Sequence, residues 1–99
     1  MGYKVSAKAA EDLEGIWLYT KKQWSLEQAD RYLALIFDEI RNLTHDQGAG
    51  RDRGHIRVGY RCSTVKAHVV YYRVNEADGQ LEVIRVLHQR MDSEGQLGA

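Results

Sequence analysis

The residue types best suited to chemistry in this sequence are arginines and histidines, and they collect in its C-terminal half. Five arginines fall on or beside predicted strands: Arg57, Arg61, Arg73, Arg85 and Arg90. Clustered guanidinium groups can stabilise a phosphoryl transition state, as in a metal-independent ribonuclease, or bind the carboxylates of a peptide through paired hydrogen bonds. They can also point into solvent or pair with neighbouring acidic residues. The arginines therefore predict an anion-binding face without choosing among these roles.

A ribonuclease also needs a proton donor and a proton acceptor beside the scissile phosphate. His68 and His88 are the candidates whose ordinary pKa lies near neutrality. His68 begins one predicted strand and His88 ends the next, and these positions lie side by side in antiparallel neighbours. We therefore expect the two imidazoles to be close, either as an acid–base pair or as strand-end hydrogen-bonding residues.

Other chemistries have little support. Cys62 is the single cysteine, which excludes a disulfide within this sequence and every multi-cysteine zinc pattern, and we expect it to be a small buried residue. His55, His68 and His88 are too dispersed to predict a metal site. The glycines of "GAG" and "GQLG" do not resemble a phosphate-binding loop that leads into a helix. We expect no metal, no cofactor and no nucleophilic catalysis.

Length and composition predict one globular domain over residues 1–99, since 43% of the residues are apolar. No apolar run approaches the roughly 20 residues that a membrane-spanning helix needs. The first residues, "MGYKVSAKAAEDL", contain no apolar signal core, so we expect a cytoplasmic protein.

The formal net charge of zero conceals an asymmetry along the chain. Residues 1–50 carry six basic and eight acidic side chains, whereas residues 51–90 carry eight basic and four acidic ones. A basic C-terminal half indicates an anionic partner, either nucleic acid or an acidic protein segment, or else a solvated sheet face.

Two amphipathic helices are predicted in the N-terminal half. Ser6 stands where a helix N-cap belongs, and "SLEQ" at 25–28 is a capping box that begins a second helix. The apolar positions recur at helical spacing: Leu13, Ile16, Trp17, Thr20 and Trp24 in the first pattern, and Ala29, Tyr32, Leu33, Ile36, Phe37, Ile40 and Leu43 in the second. Because only three residues separate the patterns, we expect an antiparallel helical hairpin.

Strands are predicted on both sides of this hairpin. "YKVS" at 3–6 is a short first strand, and residues 45–55 form a glycine-rich loop. Residues 56–63 alternate as a half-buried strand with one apolar and one basic face, followed by strands over 67–74 and 81–88 with a turn at 77–79. The last of these is apolar on both faces, as a central strand is. The predicted fold is α+β, β-α-α-β-β-β, with the helical hairpin on one face of an antiparallel sheet; residues 93–99 are expected to fray.

Several segments together resemble the ParE toxins of the RelE/ParE toxin–antitoxin superfamily. The resemblance runs from about residue 3 to residue 92 and includes the "D-L-x-x-I-W" start, the "W-S-x-x-Q-A" hairpin turn, "GRDRGHIRVGYR", "HVVYYRV" and the "R-V-L-H-x-R-M-D" ending. The proline that usually precedes the Gly-Arg loop is absent, and "HDQGAGR" stands in its place.

This resemblance implies the same fold and a bacterial type II toxin that blocks replication by acting on DNA gyrase. It also implies a ParD-like antitoxin that lays a C-terminal helix and an extended segment along the toxin. The RelE branch instead cleaves mRNA on the ribosome, usually with a C-terminal tyrosine. No tyrosine follows Tyr72 here, although Arg85 is a match for the RelE arginine and His88 could replace the tyrosine. We therefore expect a non-enzymatic gyrase inhibitor, with a ribosome-dependent mRNA endoribonuclease as the alternative.

Two sets of site residues follow from this interpretation. The predicted effector surface contains Arg57, Arg61, His68, Arg85, His88, Arg90 and Met91. The predicted antitoxin-binding surface contains Trp17, Leu18, Tyr19, Trp24 and Ile36, although aromatic residues at helical spacing are commonly core residues.

Overall fold

Two long helices follow a short first strand, as the hydrophobic pattern predicts. In the computed structural model, which describes residues 2–97, strand β1 spans Tyr3–Val5, helix α1 spans Ala7–Gln23 and helix α2 spans Leu26–His45. Both predicted N-caps are confirmed. The Ser6 hydroxyl accepts a hydrogen bond from the Ala9 N–H at 3.0 Å, and the Ser25 hydroxyl accepts one from the Gln28 N–H at 3.1 Å. Two residues separate the helices, which pack against each other as a hairpin.

The sheet has five strands in the order β1-β5-β4-β3-β2. Strand β2 spans Arg51–Asp52, β3 spans Arg61–Val65, β4 spans His68–Val74 and β5 spans Leu81–His88. The pairs β2–β3, β3–β4 and β4–β5 are antiparallel, but β1 is parallel to β5, so the sheet is mixed rather than wholly antiparallel. Periodicity predicts that a three-residue strand exists but carries no information about its direction. The α+β class is confirmed, and β5 is an interior strand between β1 and β4, as its two apolar faces predict.

The segment before β3 differs from the prediction. The alternation over 56–63 predicts a strand, yet residues 54–59 form turns, β3 begins at Arg61, and β2 lies inside the predicted loop. The turns are closed by hydrogen bonds from the Arg53 N–H to the Tyr60 carbonyl at 2.8 Å and from the Tyr60 N–H to the Arg57 carbonyl at 3.0 Å. The apolar positions of this segment therefore do not share one face, and Val58 is 95% exposed.

Both faces of the sheet are packed. On the helix side, Tyr72, Val70 and Val83 lie in a core with Leu13, Ile36 and Ile40 from the two helices. On the other side, Cys62, Tyr71 and Leu87 form a smaller cluster against which Ile56 and Tyr60 pack. The buried state expected for Cys62 is confirmed at 1% exposure. Residues of β4 alternate between the two clusters, as the period of two requires.

A bulge in β5 changes which of its residues face the helices. The register changes from Tyr71 opposite Arg85 to Tyr72 opposite Val83, so that β5 carries one additional residue, Ile84. Val83 and Val86 consequently both reach the helix-side core although they are three residues apart.

The C-terminal segment is more ordered than its composition predicts. Residues Ser93–Leu97 form a short helix, α3, and Leu97 is buried in the smaller cluster at 5% exposure. The expected fraying is therefore wrong over 93–97, because one apolar side chain gains burial against the sheet. Residues 98 and 99 lie outside the described residues. Within residues 2–97, neither long helix has an apolar stretch sufficient to cross a membrane.

Candidate partner-binding groove

An open cleft of about 550 Å³ lies between the helical hairpin and one end of the sheet. Its walls come from the end of α1, the beginning of α2, the β3–β4 turn and the end of β5; we call it the hairpin groove. It is lined by Tyr19, Thr20, Trp24, Gln28, Arg31, Tyr32, Leu35, Lys66, Ala67, His68 and His88. The hairpin groove thus contains members of both predicted site sets.

Large apolar side chains at the hairpin groove are unusually exposed. Trp24 is 76% exposed, Tyr19 is 66% exposed and Leu35 is 41% exposed. Trp24 is the C-cap of α1, beyond the turns whose stripe, including Leu13, faces the core. An aromatic pair left in water at the rim of a concave surface is typical of a protein-interaction site.

The charged side chains that line the hairpin groove are all basic. Arg31 comes from α2 and Lys66 from the β3–β4 turn, and no Asp or Glu is among the residues that line it. Within residues 2–97, neither cation is part of an ion pair with a carboxylate. Lys66 has φ of +54°, a left-handed conformation that ordinarily favours glycine or asparagine.

His68 and His88 form the floor of the hairpin groove. They are register partners on β4 and β5, and their ring centroids are 5.3 Å apart in an edge-to-face arrangement at 82°. The prediction that they are close is confirmed. The Tyr32 hydroxyl lies 2.6 Å from His68 Nδ1, and His88 Nδ1 accepts a hydrogen bond from the Arg90 N–H at 3.1 Å. A neutral His88 therefore carries its proton on Nε2.

Burial shifts the pKa of two side chains in this cluster. Desolvation, with a smaller contribution from His88, lowers the pKa of His68 below its ordinary value. Desolvation raises the pKa of Tyr32, and a backbone hydrogen bond from Ala67 partly offsets that rise. Desolvation therefore favours the neutral form of His68. Over the described part of the chain, no three His, Cys, Asp or Glu residues are grouped so that they could hold a metal ion.

Arg85 is not presented to a ligand. Its Nε donates to Asp12 Oδ2 at 2.7 Å and its Nη2 to Asp12 Oδ1 at 2.9 Å, while Nη1 reaches Gln96 Oε1 at 3.3 Å. The hydrogen bonds to Asp12 raise the pKa of Arg85, and the side chains of the pair are only 16% and 15% exposed. The structure thus gives Arg85, predicted as an effector residue, a structural contact with α1.

The other predicted effector residues are dispersed. Arg61 Nη2 donates to the carbonyl of Gly48 at 3.0 Å and also to that of Gly50, so it holds the segment before β2. Arg57 is exposed in the turns before β3, and Arg90 and the 51%-exposed Met91 follow β5. None of these four lines the hairpin groove, and their effector role stays a prediction.

The predicted antitoxin-binding residues also separate. Tyr19 and Trp24 line the hairpin groove, and Leu18 is exposed beside them in sequence. Trp17 is half-buried, donates from Nε1 to Asp30 Oδ1 at 2.9 Å, and lines a second apolar cleft of about 430 Å³. Ile36 was wrongly placed on this surface, because it is fully buried in the helix-side core.

Sequence reasoning missed Arg31, Leu35 and Lys66 as residues of this groove. Leu35 could have been recognised, since it is an apolar residue outside the core-facing stripe of α2. Lys66 offers no such signal, because its position depends on the length of the β3–β4 turn.

Comparison with known proteins agrees with this architecture. The family model described as "ParE toxin of type II toxin-antitoxin system, parDE" matches residues 3–93. This chain belongs to the ParE toxin family. Its membership confirms the resemblance inferred from the sequence motifs.

Individual ParE relatives match over nearly their whole length. A protein named Toxin ParE1 from Caulobacter vibrioides is 38% identical over 96 residues, covering 97% of each chain. A Toxin ParE1 from Mycobacterium tuberculosis is 39% identical over 90 residues, covering 91% of each. In structure, a chain from the "Chromosomal ParDE TA system from P. aeruginosa" superposes with a TM-score of 0.75 at 22% identity, covering 89% of this chain and 95% of that one, which supports the ParE fold.

Proposed function

We propose that this ParE-family chain is the toxin of a type II toxin–antitoxin system, that it inhibits DNA gyrase without catalysing a reaction, and that a ParD-like antitoxin neutralises it by direct binding. The observation that carries the proposal is the hairpin groove, whose exposed Tyr19 and Trp24 suit a protein partner. Family membership supports the toxin role. A cytoplasmic location is part of the proposal, because gyrase acts on the chromosome.

The contacts of Arg85 support a non-enzymatic role. A nuclease arginine must reach the scissile phosphate, yet Arg85 gives two donors to Asp12 and is mostly buried. A phosphate could recruit it only by displacing a carboxylate that is already held in place, which costs several kcal/mol for a desolvated pair.

A gyrase supercoiling assay tests the proposal. Purified toxin is added to gyrase, relaxed plasmid and ATP, and both supercoiled product and cleaved DNA are quantified. We expect supercoiling to decrease or cleaved DNA to accumulate, and an equimolar amount of ParD-like antitoxin to reverse the effect. Unchanged gyrase activity at a large molar excess of toxin would sink the gyrase assignment.

The adjacent histidines favour one second candidate, a ribosome-dependent mRNA endoribonuclease. His68 and His88 are close enough to act on one phosphodiester as a proton donor and acceptor. Primer extension on mRNA from cells that express the toxin would then show new 5′ ends at defined codon positions, and these ends would disappear in a His68→Ala, His88→Ala double variant. Intact mRNA during growth arrest excludes this candidate. Normal growth on expression without antitoxin would instead indicate a scaffold that has lost toxicity.

A further inference from the structure

The segment that runs from the start of β2 to the start of β3 is strongly basic. Residues 51–61, "RDRGHIRVGYR", contain four arginines and one aspartate, although the chain as a whole has no net charge. The Arg61 side chain is bound to backbone carbonyls and so belongs to the fold. The other three arginines and the valine beside the last of them form a surface that we call the arginine turn: Arg51, Arg53, Arg57 and Val58.

The three positive charges of the arginine turn are not neutralised within the chain. Over the part of the chain that the structure describes, none of them forms an ion pair with a carboxylate. Asp52, the acidic residue of the segment, instead accepts a hydrogen bond from the Gly54 N–H at 2.6 Å. By contrast Arg73, which lines the same shallow cleft as Val58, is paired with Glu82 at 2.6 Å. The arginine turn therefore presents charge that a partner can neutralise.

Backbone hydrogen bonds hold the arginine turn in one shape. Besides the bonds that join Arg53 to Tyr60 and Tyr60 to Arg57, the Ile56 N–H donates to the Arg53 carbonyl at 3.0 Å. Ile56 and Tyr60 pack against the smaller apolar cluster, and Gly59, at φ of +88°, lets the chain reverse toward β3. A surface that is already ordered loses little conformational entropy when a partner binds it.

The apolar side chain of the arginine turn projects into water. Val58 is 95% exposed, so its burial contributes almost nothing to the stability of the free chain. A single exposed valine is ordinary on a protein surface, and what distinguishes this one is its place in a hydrogen-bonded turn beside unpaired arginines. Arginine is enriched at the centres of protein interfaces, where charged groups meet partners of opposite sign and apolar side chains are desolvated.

We propose that the arginine turn is the surface through which this chain contacts gyrase, with its three guanidinium groups paired to an acidic patch of that enzyme and Val58 packed against apolar side chains within the patch. This inference rests on the proposed function and deepens it, because it names the surface that holds the target. Arg57 belongs to the effector surface predicted from the sequence, whereas Arg51, Arg53 and Val58 do not.

An acidic protein surface fits the arginine turn better than DNA does. Guanidinium groups form paired hydrogen bonds with carboxylates, and the apolar surface of Val58 gains from burial only against apolar groups, which a phosphate backbone does not offer. Binding to DNA without sequence preference depends on how many phosphates are neutralised. Three arginines in a chain of zero net charge neutralise few of them.

The arginine turn is separate from the hairpin groove. The turn leads into β3 at Arg61, whereas the groove lies beyond the other end of β3, at Lys66. No residue of the arginine turn lines the hairpin groove. Contact with gyrase through the arginine turn therefore does not involve the His68–His88 pair.

Inhibition of the gyrase holoenzyme over a range of toxin concentrations tests the inference. The Arg53→Glu, Arg57→Glu double variant should require about 50-fold more toxin than the wild type for half-inhibition of supercoiling. The matched control is the Lys8→Glu, Lys22→Glu double variant, which makes the same change in charge at two exposed residues of α1 and should stay within twofold of the wild type. Biolayer interferometry of gyrase on immobilised toxin, with DNA omitted, should give the same order of affinities.

Misfolding is controlled by Val58→Asp. Because the valine side chain is almost fully exposed, this variant should melt within about 1 °C of the wild type. It should nevertheless inhibit gyrase about 30-fold more weakly, since it removes the apolar contact and places a carboxylate opposite an acidic patch. A variant that folds as well as the wild type and inhibits less well has lost a contact with the target.

The outcomes separate the inference from the proposed function. If wild-type toxin neither binds nor inhibits gyrase, the proposed function fails. If it inhibits gyrase and the variants of the arginine turn inhibit equally well, the function stands and the inference is overturned. It is also overturned if the lysine control weakens inhibition as much as the arginine double variant. Binding of the wild type to duplex DNA alone, lost in the arginine double variant, would overturn it as well, because the turn would then be a DNA contact.

Discussion

Asp12 and Arg85 join the first helix to the middle of the last strand. The carboxylate accepts two hydrogen bonds from the guanidinium group, at 2.7 and 2.9 Å, and a third from the Val86 N–H at 3.0 Å. Asp12 belongs to the "D-L-x-x-I-W" start and Arg85 to the "R-V-L-H-x-R-M-D" ending, so two of the segments that carry the family resemblance meet in one ion pair.

Replacement of Asp12 by Ala should lower the free energy of unfolding by about 2–4 kcal/mol, because it leaves a mostly buried guanidinium group without its partner and a backbone N–H without an acceptor. Urea denaturation monitored by circular dichroism measures the change. Lys8→Ala, at an exposed position of the same helix, should stay within about 0.5 kcal/mol of the wild type. Equal stability of Asp12→Ala and Lys8→Ala would show that the ion pair does not stabilise the fold.

Two glycines should respond oppositely to substitution by alanine. A Cβ at Gly50 would lie 2.7 Å from the Cys62 carbonyl oxygen and would press on the Tyr72 hydroxyl, which accepts a hydrogen bond from the Gly50 N–H at 3.1 Å. A Cβ at Gly15, within α1, would meet nothing within 4 Å. Thermal unfolding should therefore show Gly50→Ala destabilised by about 2 kcal/mol or more and Gly15→Ala stabilised by about 0.5–1 kcal/mol. A stable Gly50→Ala protein would mean that the segment before β2 can move away from Tyr72.

Lys66→Gly should raise the free energy of unfolding by about 1 kcal/mol, because glycine occupies the left-handed region without the Cβ strain that lysine has at φ of +54°. Gly79, at φ of +71°, provides the reverse test, and Gly79→Ala should lose a comparable amount. Chemical denaturation of both variants and the wild type measures whether the free energy of unfolding rises or falls with each substitution. Destabilisation by Lys66→Gly would indicate that the lysine side chain contributes contacts within the free toxin.

Stability should fall as the pH is lowered from 7.5 to 5.5. Burial and the neighbouring His88 lower the pKa of His68 in the folded chain, so the unfolded state binds protons more readily in this range. The stabilisation is complete above the ordinary pKa of 6.5 and is lost as the pH falls through the lower folded value. The free energy of unfolding, measured by denaturation at several pH values in this range, should vary less with pH for His68→Gln than for the wild type. If wild type and variant show the same slope, the imidazole does not control the pH dependence.

Antitoxin affinity should increase as the pH is lowered, whereas the stability of the free chain decreases. The groups that face His68 are Tyr32 from α2, His88 from β5 and the nearby cations Arg31 and Lys66. None is an anion at neutral pH, so a bound carboxylate would be the first negative charge at the pair and would raise its proton affinity. Calorimetry should give a tighter Kd at pH 6.0 than at pH 7.5, with proton uptake on binding. A Kd that is independent of pH in this range would place the carboxylates away from the histidines.

The elements with strong periodicity could be predicted from the sequence. The two caps, the helical hairpin and the central strand β5 follow from local rules that involve residues a few positions apart. The false strand over 56–63 shows the limit. Its alternation satisfied the period of two, but the hydrogen bond between Arg53 and Tyr60 belongs to a compact turn that periodicity does not register.

The site was only partly predictable, for a related reason. His68 and His88 could be placed side by side because antiparallel pairing brings strand ends together. The structural role of Arg85 could not be predicted, because its partner Asp12 is 73 residues away in the sequence, on another element. The exposure of Ile36 and Trp24 could not be predicted either. Both are apolar residues at helical spacing, yet Ile36 is fully buried and Trp24 is 76% exposed. Which side of a helix faces the sheet is decided by tertiary packing.

The contact of Asp12 with the Val86 N–H has one more consequence, for the assembly of sheets between molecules. β5 is eight residues long but β1 covers only three of them. Beyond β1, Ser6 donates to the carbonyls of Val83 and Ile84, and Asp12 accepts from the Val86 N–H. An open strand edge is a template for pairing with other chains and hence for aggregation. Ser6 and Asp12 here satisfy backbone groups that would otherwise be open to a foreign strand, and the outer edge of β1 carries the exposed Lys4 at its centre. The carboxylate of the Asp12–Arg85 ion pair thus also helps to protect this stretch of β5 against pairing with a strand of another molecule.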